Sequence, residues 1–151
     1  MASSSRYREK KARQGCRARV CSAMTDLVTR ARNFATAAHA EQFRRYTNEP
    51  YINHCFAVVD MVAACVDDPV MIAAAWCHDT VEDTETTIAD IEREFGPAVA
   101  ALVEQLTDVS RPEDGNRAVR KALDREHLAK ASPEAKTIKL ADLIDNTRSI
   151  V

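Results

Sequence analysis

The longest uninterrupted apolar run of the chain, the eight residues from Val70 to Cys77, constrains its fold most. A helix over this run is apolar on every side, so it has no face that water would stabilise and belongs at the centre of a domain. Asp68 followed by Pro69 is a typical helix start. The run is far shorter than the roughly 18 residues that a membrane-spanning helix needs. The sequence therefore predicts a buried central helix and no membrane span.

Helical patterns follow one another from residue 25 onward, and no strand-like alternation of useful length interrupts them. Three glycines and five prolines are too few for the turns of a β-sandwich or barrel. With 46% hydrophobic residues among 151, the chain is predicted to form one compact, multi-helix, all-α domain. We expect a first helix from Thr25 or Asp26 to about Gln42, and a second helix that Asn53 caps and that buries Phe56, Val59, Val62, Ala63 and Val66.

The later helix boundaries are marked by local signals. Thr87 and Asp90 are expected to form a capping box, and a helix break is expected at Gly96 and Pro97. A polar loop over 108–116 precedes a helix ending near Lys130, and Ser132 opens a last helix that reaches the C-terminus.

The formal charge of −2 is unevenly distributed along the chain. Residues 1–23 carry seven basic side chains and one acid without apolar periodicity, and are expected to be a basic, disordered extension. The alternatives are a true start at Met24 and an organellar transit peptide. Residues 24–151 hold fourteen bases and twenty-two acids, a net charge of −8. A domain this acidic repels nucleic acid, which argues against a nucleic-acid-binding domain, but it could still bind a small phosphorylated ligand through a few local cations or a metal ion.

The cysteine pattern indicates reduced thiols. Five cysteines are an odd number, and none form a C-x-x-C pair. Cys55, Cys65 and Cys77 lie in apolar stretches, where free cysteine behaves as a small hydrophobe. This usage predicts a cytoplasmic protein rather than a disulfide framework.

Acidic residues follow the central helix directly. The helix runs into His78 and Asp79, and six carboxylates with no Lys or Arg lie between Asp79 and Glu92. Ionised carboxylates at the end of a buried helix are costly unless positive charge meets them. Distant arginines or a metal ion would supply that charge, and a solvated helix end is the plainer alternative. His54 and Asp142 offer two more ligands, and two imidazoles with two carboxylates suit Mn²⁺, Fe²⁺, Co²⁺ or Zn²⁺ better than Mg²⁺ or Ca²⁺.

Two further patterns accompany this group. Glu82 and Asp83 come one turn after His78 and Asp79, where either could orient or deprotonate a water molecule. On the last helix, Asp142, Asn146 and Ser149 stand at i, i+4 and i+7 and form one polar stripe, a spacing that an ordinary amphipathic helix shares. The residues expected on the opposite side of that helix are Leu140, Ile144, Thr147 and Val151.

Five segments between about Met24 and Val151 keep the order and spacing of a known family. They are Ala37–Arg45, Glu49–His54, Trp76–Thr84, Phe95–Gly96, and Ile138–Asp142 with Asn146 and Arg148. Together they resemble the HD-type hydrolase domain of the RelA/SpoT family, most closely its single-domain small alarmone hydrolases of the metazoan SpoT homologue type. The resemblance implies an HD-domain phosphohydrolase fold over residues 24–151.

The resemblance also implies a site and a reaction. It implies that one Mn²⁺, or another divalent transition metal, is held by His54, His78, Asp79 and Asp142. It implies that Glu82 and Asp83 handle the attacking water, and that the nucleotide is contacted by Arg44, Arg45, Tyr51, Asn146 and Ser149. The implied reaction removes pyrophosphate from the ribose 3′ position of ppGpp or pppGpp, leaving GDP or GTP. The alternatives are an HD phosphohydrolase of an adenosine alarmone or of the NADPH 2′-phosphate, and a non-catalytic nucleotide-binding fragment.

The chain departs from the family pattern at two residues and at its end. Cys55 stands where the family usually has proline, and Asp145 stands where an aromatic residue or His is frequent. Family domains normally continue with further helices beyond the position of Val151. The expectation is therefore either a C-terminally truncated domain or a homo-oligomer whose partner covers Leu140 and Ile144.

Overall fold

The computed structural model describes residues 26–150, and this range is built from helices joined by short loops. No β-strand occurs between residues 26 and 150; one isolated antiparallel bridge joins Phe43 and Pro50. The predicted all-α class is confirmed, whereas the predicted extension over residues 1–23 lies outside the described residues. The helices are α1 (26–38), α2 (Ile52–Cys65), α3 (Pro69–Cys77), α4 (Thr80–Asp83), α5 (Ile88–Phe95), α6 (Pro97–Leu106), a 3₁₀ turn (Pro112–Asp114), α7 (Arg117–Ala129) and α8 (Pro133–Arg148).

The apolar helix α3 is the centre of the fold, as predicted. It packs against α2, α6 and α8, and Met71 and residues 73–77 are buried. Asp68 caps its start, because Asp68 Oδ1 accepts a hydrogen bond of 2.9 Å from the Val70 amide. Within the described range, no helix combines the length and apolar character that crossing a membrane requires.

The predicted caps and breaks of the later helices are confirmed. Thr87 and Asp90 form a reciprocal capping box at the start of α5. Gly96 separates α5 from α6 with φ +89° and ψ 170°, a conformation that residues with a Cβ rarely adopt. Ser132 caps α8 by accepting from the Ala135 amide. The Ser132 cap fixes the residue at which α8 begins.

Three predicted boundaries are wrong by a few residues. Helix α1 ends at residue 38 rather than near Gln42, because Gln42 accepts from the Tyr51 amide and thereby joins the loop to the start of α2. Helix α2 is not capped by Asn53; the backbone is already helical at Tyr51, so the helix begins at Ile52. On α2, Ala63 is exposed rather than buried. The last helix ends at Arg148.

Helix α8 turns Asp142 of its polar stripe inward and leaves apolar side chains at the surface, whereas Asn146 is exposed. Ile138, Ala141 and Asp142 are buried, whereas the Leu140 side chain is 59% exposed and Ile144 is also exposed. The sequence places these apolar residues opposite Asp142, so burying the carboxylate turns them outward. The fold thus buries Asp142 on the inner face of α8, where an ordinary amphipathic helix would bury leucine.

The described cysteines carry free thiols, as predicted. Cys55 and Cys77 are buried in the core, where burial raises the pKa of each thiol to about 12. Cys65 is exposed, although its sequence neighbours are apolar.

Candidate active site

Four side chains from distant parts of the sequence converge at the C-terminal end of α3. His54 comes from the first turn of α2, His78 and Asp79 follow α3, and Asp142 lies on α8. All four are buried, and we call His54, His78, Asp79 and Asp142 the convergent group. The two imidazole Nε2 atoms lie 3.2 Å apart, and His54 Nε2 lies 3.5 Å from Asp79 Oδ2 and 3.3 Å from Asp142 Oδ1. One donor atom from each residue lies within 4.8 Å of the others, so the structure brings the predicted group together.

The donor atoms of the 78–79 pair are oriented by neighbours. His78 Nδ1 donates to the Ala75 carbonyl over 2.8 Å, which directs Nε2 into the group. Asp79 Oδ2 lies 2.9 Å from His78 Nε2 and accepts a hydrogen bond of 2.6 Å from the Tyr51 hydroxyl. Tyr51, predicted as a nucleotide contact, therefore lies beside the group and holds one of its carboxylates.

Asp142 is held by two residues of its own helix. Lys139 Nζ lies 2.9 Å from Asp142 Oδ2, and the Asn146 side-chain amide donates to Asp142 Oδ1. Lys139 and Asn146 are three and four positions away from Asp142, so one face of α8 carries all three side chains. Asn146, predicted as a nucleotide contact, is a direct neighbour of the group.

His54 has a second carboxylate on its other ring nitrogen. His54 Nδ1 donates to Asp145 Oδ2 over 2.7 Å, and Arg44 Nη1 donates to the same oxygen over 2.7 Å. Arg44 Nη2 donates to Asn146 Oδ1 over 3.0 Å. Asp145 is thus a direct neighbour of His54, although the sequence analysis identified it only as a departure from the family pattern.

The electrostatics of the group favour a cation at its centre. Burial works against protonation of His54, but hydrogen bonds to Asp142, Asp79 and Asp145 outweigh burial and raise the pKa of His54 to about 10. The pKa of His78 is also raised, because its attraction to Asp79 overcomes burial. Burial opposes ionisation of Asp79, yet the two histidines hold its pKa well below the usual range. The pocket therefore stabilises positive charge between carboxylates.

Glu82 and Asp83 lie on the short helix α4, directly after this group, and both are exposed. Glu82 Oε1 accepts a hydrogen bond of 2.7 Å from the Asp108 amide. Desolvation raises the pKa of Glu82 to about 7, and it also raises the pKa of Asp83. A carboxyl group with a pKa near neutrality can both accept and release a proton at physiological pH.

Two predicted contact residues, Arg45 and Ser149, contact neighbours other than the four convergent side chains. The Arg45 guanidinium is exposed and lies 5.9 Å from the centre of the Tyr46 ring. Ser149 Oγ donates to the Asn146 carbonyl over 2.8 Å at the end of α8. His39 is buried and hydrogen-bonded through Nδ1 to Gln42 Oε1 over 2.6 Å.

Sequence reasoning missed Lys139, Asp145 and Gln42. Lys139 and Asp145 flank Asp142 at i−3 and i+3, so their spacing could have identified them as neighbours on one face. Gln42 donates to the Asp83 carbonyl over 2.6 Å across 41 residues of sequence, a contact that no local pattern indicates.

The donor set fits a metal ion. Two imidazole nitrogens and two carboxylate oxygens, all buried and mutually close, form a group that could hold one divalent cation. The remaining ring nitrogen of each histidine is bonded to an oxygen acceptor, the arrangement that metal-binding histidines usually show.

The fold and this buried histidine–aspartate group define the chain as a member of the HD domain family, whose model matches residues 31–151. Its relatives include a Drosophila melanogaster protein named guanosine-3′,5′-bis(diphosphate) 3′-pyrophosphohydrolase MESH1, which is 42% identical over 120 residues covering 78% of this chain and 65% of that protein. The Homo sapiens protein of the same name is 40% identical over 123 residues, covering 80% of this chain and 67% of that protein.

A solved structure agrees with this assignment. It is described as a metazoan ortholog of SpoT that hydrolyzes ppGpp and plays a role in starvation responses, and it superposes with a TM-score of 0.73 at 38% identity. The match covers 81% of this chain and 68% of that one. The chain therefore spans about two thirds of the length of the relatives that it matches.

Proposed function

We propose that this chain is a metal-dependent hydrolase that removes the 3′-pyrophosphate of guanosine 3′,5′-bis(diphosphate), giving GDP from ppGpp and GTP from pppGpp. The observation that carries the proposal is the convergence of His54, His78, Asp79 and Asp142, with Glu82 one turn beyond. The names of the relatives support the choice of substrate. The free thiols support a cytoplasmic location.

The proposed cofactor is one Mn²⁺, which His54, His78, Asp79 and Asp142 would hold. Mixed nitrogen and oxygen donors favour a transition metal over Mg²⁺ or Ca²⁺. Bound there, a divalent ion lowers the pKa of water and neutralises phosphate charge. The raised pKa of His54 supports the assignment, because it reflects a site that attracts positive charge.

The proposed chemistry assigns proton transfer to Glu82, with Asp83 as its neighbour. The water oxygen forms a bond to the phosphorus that is attached to the ribose 3′ oxygen. The bond between that phosphorus and the ribose 3′ oxygen breaks at the same time. Glu82 takes the proton that the water loses and passes it to the ribose 3′ oxygen as pyrophosphate leaves. The pKa of Glu82, near 7, matches this role because the group ionises readily at neutral pH. The Asp108 amide orients its carboxylate.

The proposed nucleotide contacts are Arg44, Arg45, Tyr51, Asn146 and Ser149. Arg45 is exposed and presents a guanidinium that suits phosphate oxygens or a base face. Tyr51 and Asn146 border the convergent group directly. Arg44 already bonds two protein oxygens, and Ser149 bonds a helix carbonyl, so both contacts require these side chains to make additional bonds with the nucleotide.

The test is a substrate panel. Purified chain is stripped of metal, loaded with Mn²⁺ and incubated with ppGpp, its adenosine counterpart ppApp, or NADPH, while pyrophosphate and orthophosphate are quantified separately. We expect pyrophosphate from ppGpp and none from Asp142→Ala. Pyrophosphate only from ppApp, or orthophosphate only from NADPH, would overturn the substrate assignment. Metal binding without turnover of any of them would overturn the enzymatic assignment and leave a nucleotide-binding protein.

A further inference from the structure

The Arg44 guanidinium lies against the convergent group and uses both terminal nitrogens there. Nη1 donates to Asp145 Oδ2 over 2.7 Å, and Nη2 donates to Asn146 Oδ1 over 3.0 Å. Only 11% of its side chain is exposed, whereas its sequence neighbour Arg45 is exposed. A guanidinium that bonds two protein acceptors at once is positioned mainly by the protein.

Each of these acceptors bonds in turn to a different member of the convergent group. Asp145 Oδ2 accepts from His54 Nδ1 over 2.7 Å, and the Asn146 amide donates to Asp142 Oδ1. Arg44 is therefore one bond removed from His54 through Asp145, and one bond removed from Asp142 through Asn146. Two donor groups on different helices, α2 and α8, are connected through this one side chain.

We propose that Arg44 and Asp145 are positioning residues that together orient His54 and Asp142 for metal binding. This pair, the Arg44–Asp145 bridge, rests on the proposed metal site. The Asp145 carboxylate fixes a hydrogen on His54 Nδ1 and so leaves Nε2 free as a donor atom. Arg44 holds the Asp145 carboxylate in place, and its second nitrogen fixes the side-chain amide of Asn146 so that the NH₂ group faces Asp142.

The chain trace explains how Arg44 reaches α8. Arg44 lies in the loop between α1 and α2, which is closed by the Phe43–Pro50 bridge and by hydrogen bonds between Arg44 and Glu49 backbone groups and between Tyr51 and Gln42. This closure holds Arg44 beside α8, although 101 residues separate it from Asp145. A lysine at position 44 could bond one acceptor but lacks the planar fork that bonds both.

The test measures metal affinity without nucleotide. Arg44→Lys, Asp145→Asn and the double variant are stripped with chelator and titrated with Mn²⁺, and the free ion is followed by electron paramagnetic resonance. Arg93→Lys is the matched control, because Arg93 forms an exposed ion pair with Asp90 on α5. We expect each bridge variant to bind Mn²⁺ about 10- to 100-fold more weakly, and Arg93→Lys to bind as the wild type does. The loss of affinity in the double variant should be smaller than the sum of the two single losses, because both changes weaken the connection through Asp145 to His54.

Kinetics distinguish a bridge from a simple substrate contact. With ppGpp, Asp145→Asn should regain most of the wild-type kcat when Mn²⁺ is raised to saturation. Wild-type Mn²⁺ affinity in Arg44→Lys together with a raised KM would overturn the proposal and leave Arg44 as a nucleotide contact. Additive losses of affinity in the double variant would also overturn it. If the wild type binds Mn²⁺ but hydrolyses nothing, the proposed function fails while the affinity comparison still decides the bridge.

Discussion

The charge balance of the convergent group predicts that the metal-free protein loses stability between pH 7.5 and 9. An unfolded histidine has a pKa near 6.5, whereas the pKa of His54 is raised to about 10 in the fold. The folded protein therefore keeps a proton that the unfolded chain has lost in this window. Stability from that proton is complete below pH 6.5 and disappears as the pH rises through about 10.

The size of the loss from His54 alone follows from one proton, and the raised pKa of His78 adds to the loss in the same direction. Each pH unit changes the free energy of unfolding by about 1.4 kcal/mol per proton, so 1.5 units remove roughly 2 kcal/mol. A described range of 125 residues has an unfolding entropy of about 0.26 kcal/mol/K. The melting temperature should therefore fall by about 8 °C. Glu82, with a pKa of about 7, contributes mostly below this window, and the buried thiols contribute mostly above it, because an unfolded thiol ionises near pH 9.

The assay is a series of thermal melts with chelator and with saturating Mn²⁺. The ion replaces protons on the donor atoms, so the decline should disappear in Mn²⁺, and the stabilisation by Mn²⁺ should grow with pH. In chelator, His54→Gln should make the fall of the melting temperature with pH less steep. His127→Gln on α7, outside the group, should leave that fall unchanged. A melting temperature of the metal-free wild type that stays level or rises from pH 7.5 to 9 would refute this account of the charge balance.

Three further changes test the site and the fold. Glu82→Gln keeps an acceptor for the Asp108 amide but removes the base, so kcat for ppGpp should fall by about 10²- to 10⁴-fold with unchanged Mn²⁺ affinity; an intact kcat would assign the base elsewhere. Gly96→Ala should cost about 1–3 kcal/mol in urea denaturation through backbone strain alone, because φ is +89° and no atom lies within 4 Å of the added Cβ. Ile138→Ala, at a fully buried position, should cost about 2–5 kcal/mol, whereas Leu140→Ala on the exposed side of the same helix should cost under about 0.5 kcal/mol; equal costs would contradict the orientation of α8.

Local signals in the sequence were sufficient for most helix boundaries. Asp68 with Pro69, Thr87 with Asp90, and Ser132 each satisfy free backbone amides within their own first turn, so neighbouring residues decide where those helices start. The boundaries that failed depend on distant contacts. Helix α1 ends early because Gln42 pairs with the Tyr51 backbone, a contact between loop ends that no periodicity indicates.

The sequence by itself determined the helical class, the central position of α3 and the residue types of the convergent group. An apolar helix has to be buried, and carboxylates at its end need positive charge beside them. Tertiary structure decided which groups meet the histidines. Asp145 of α8 meets His54 of α2, and Arg44 reaches Asp145 only after the loop folds back onto α8. Such contacts depend on the three-dimensional packing of separate helices, whereas caps and apolar periodicity depend on residues within one or two turns of each other.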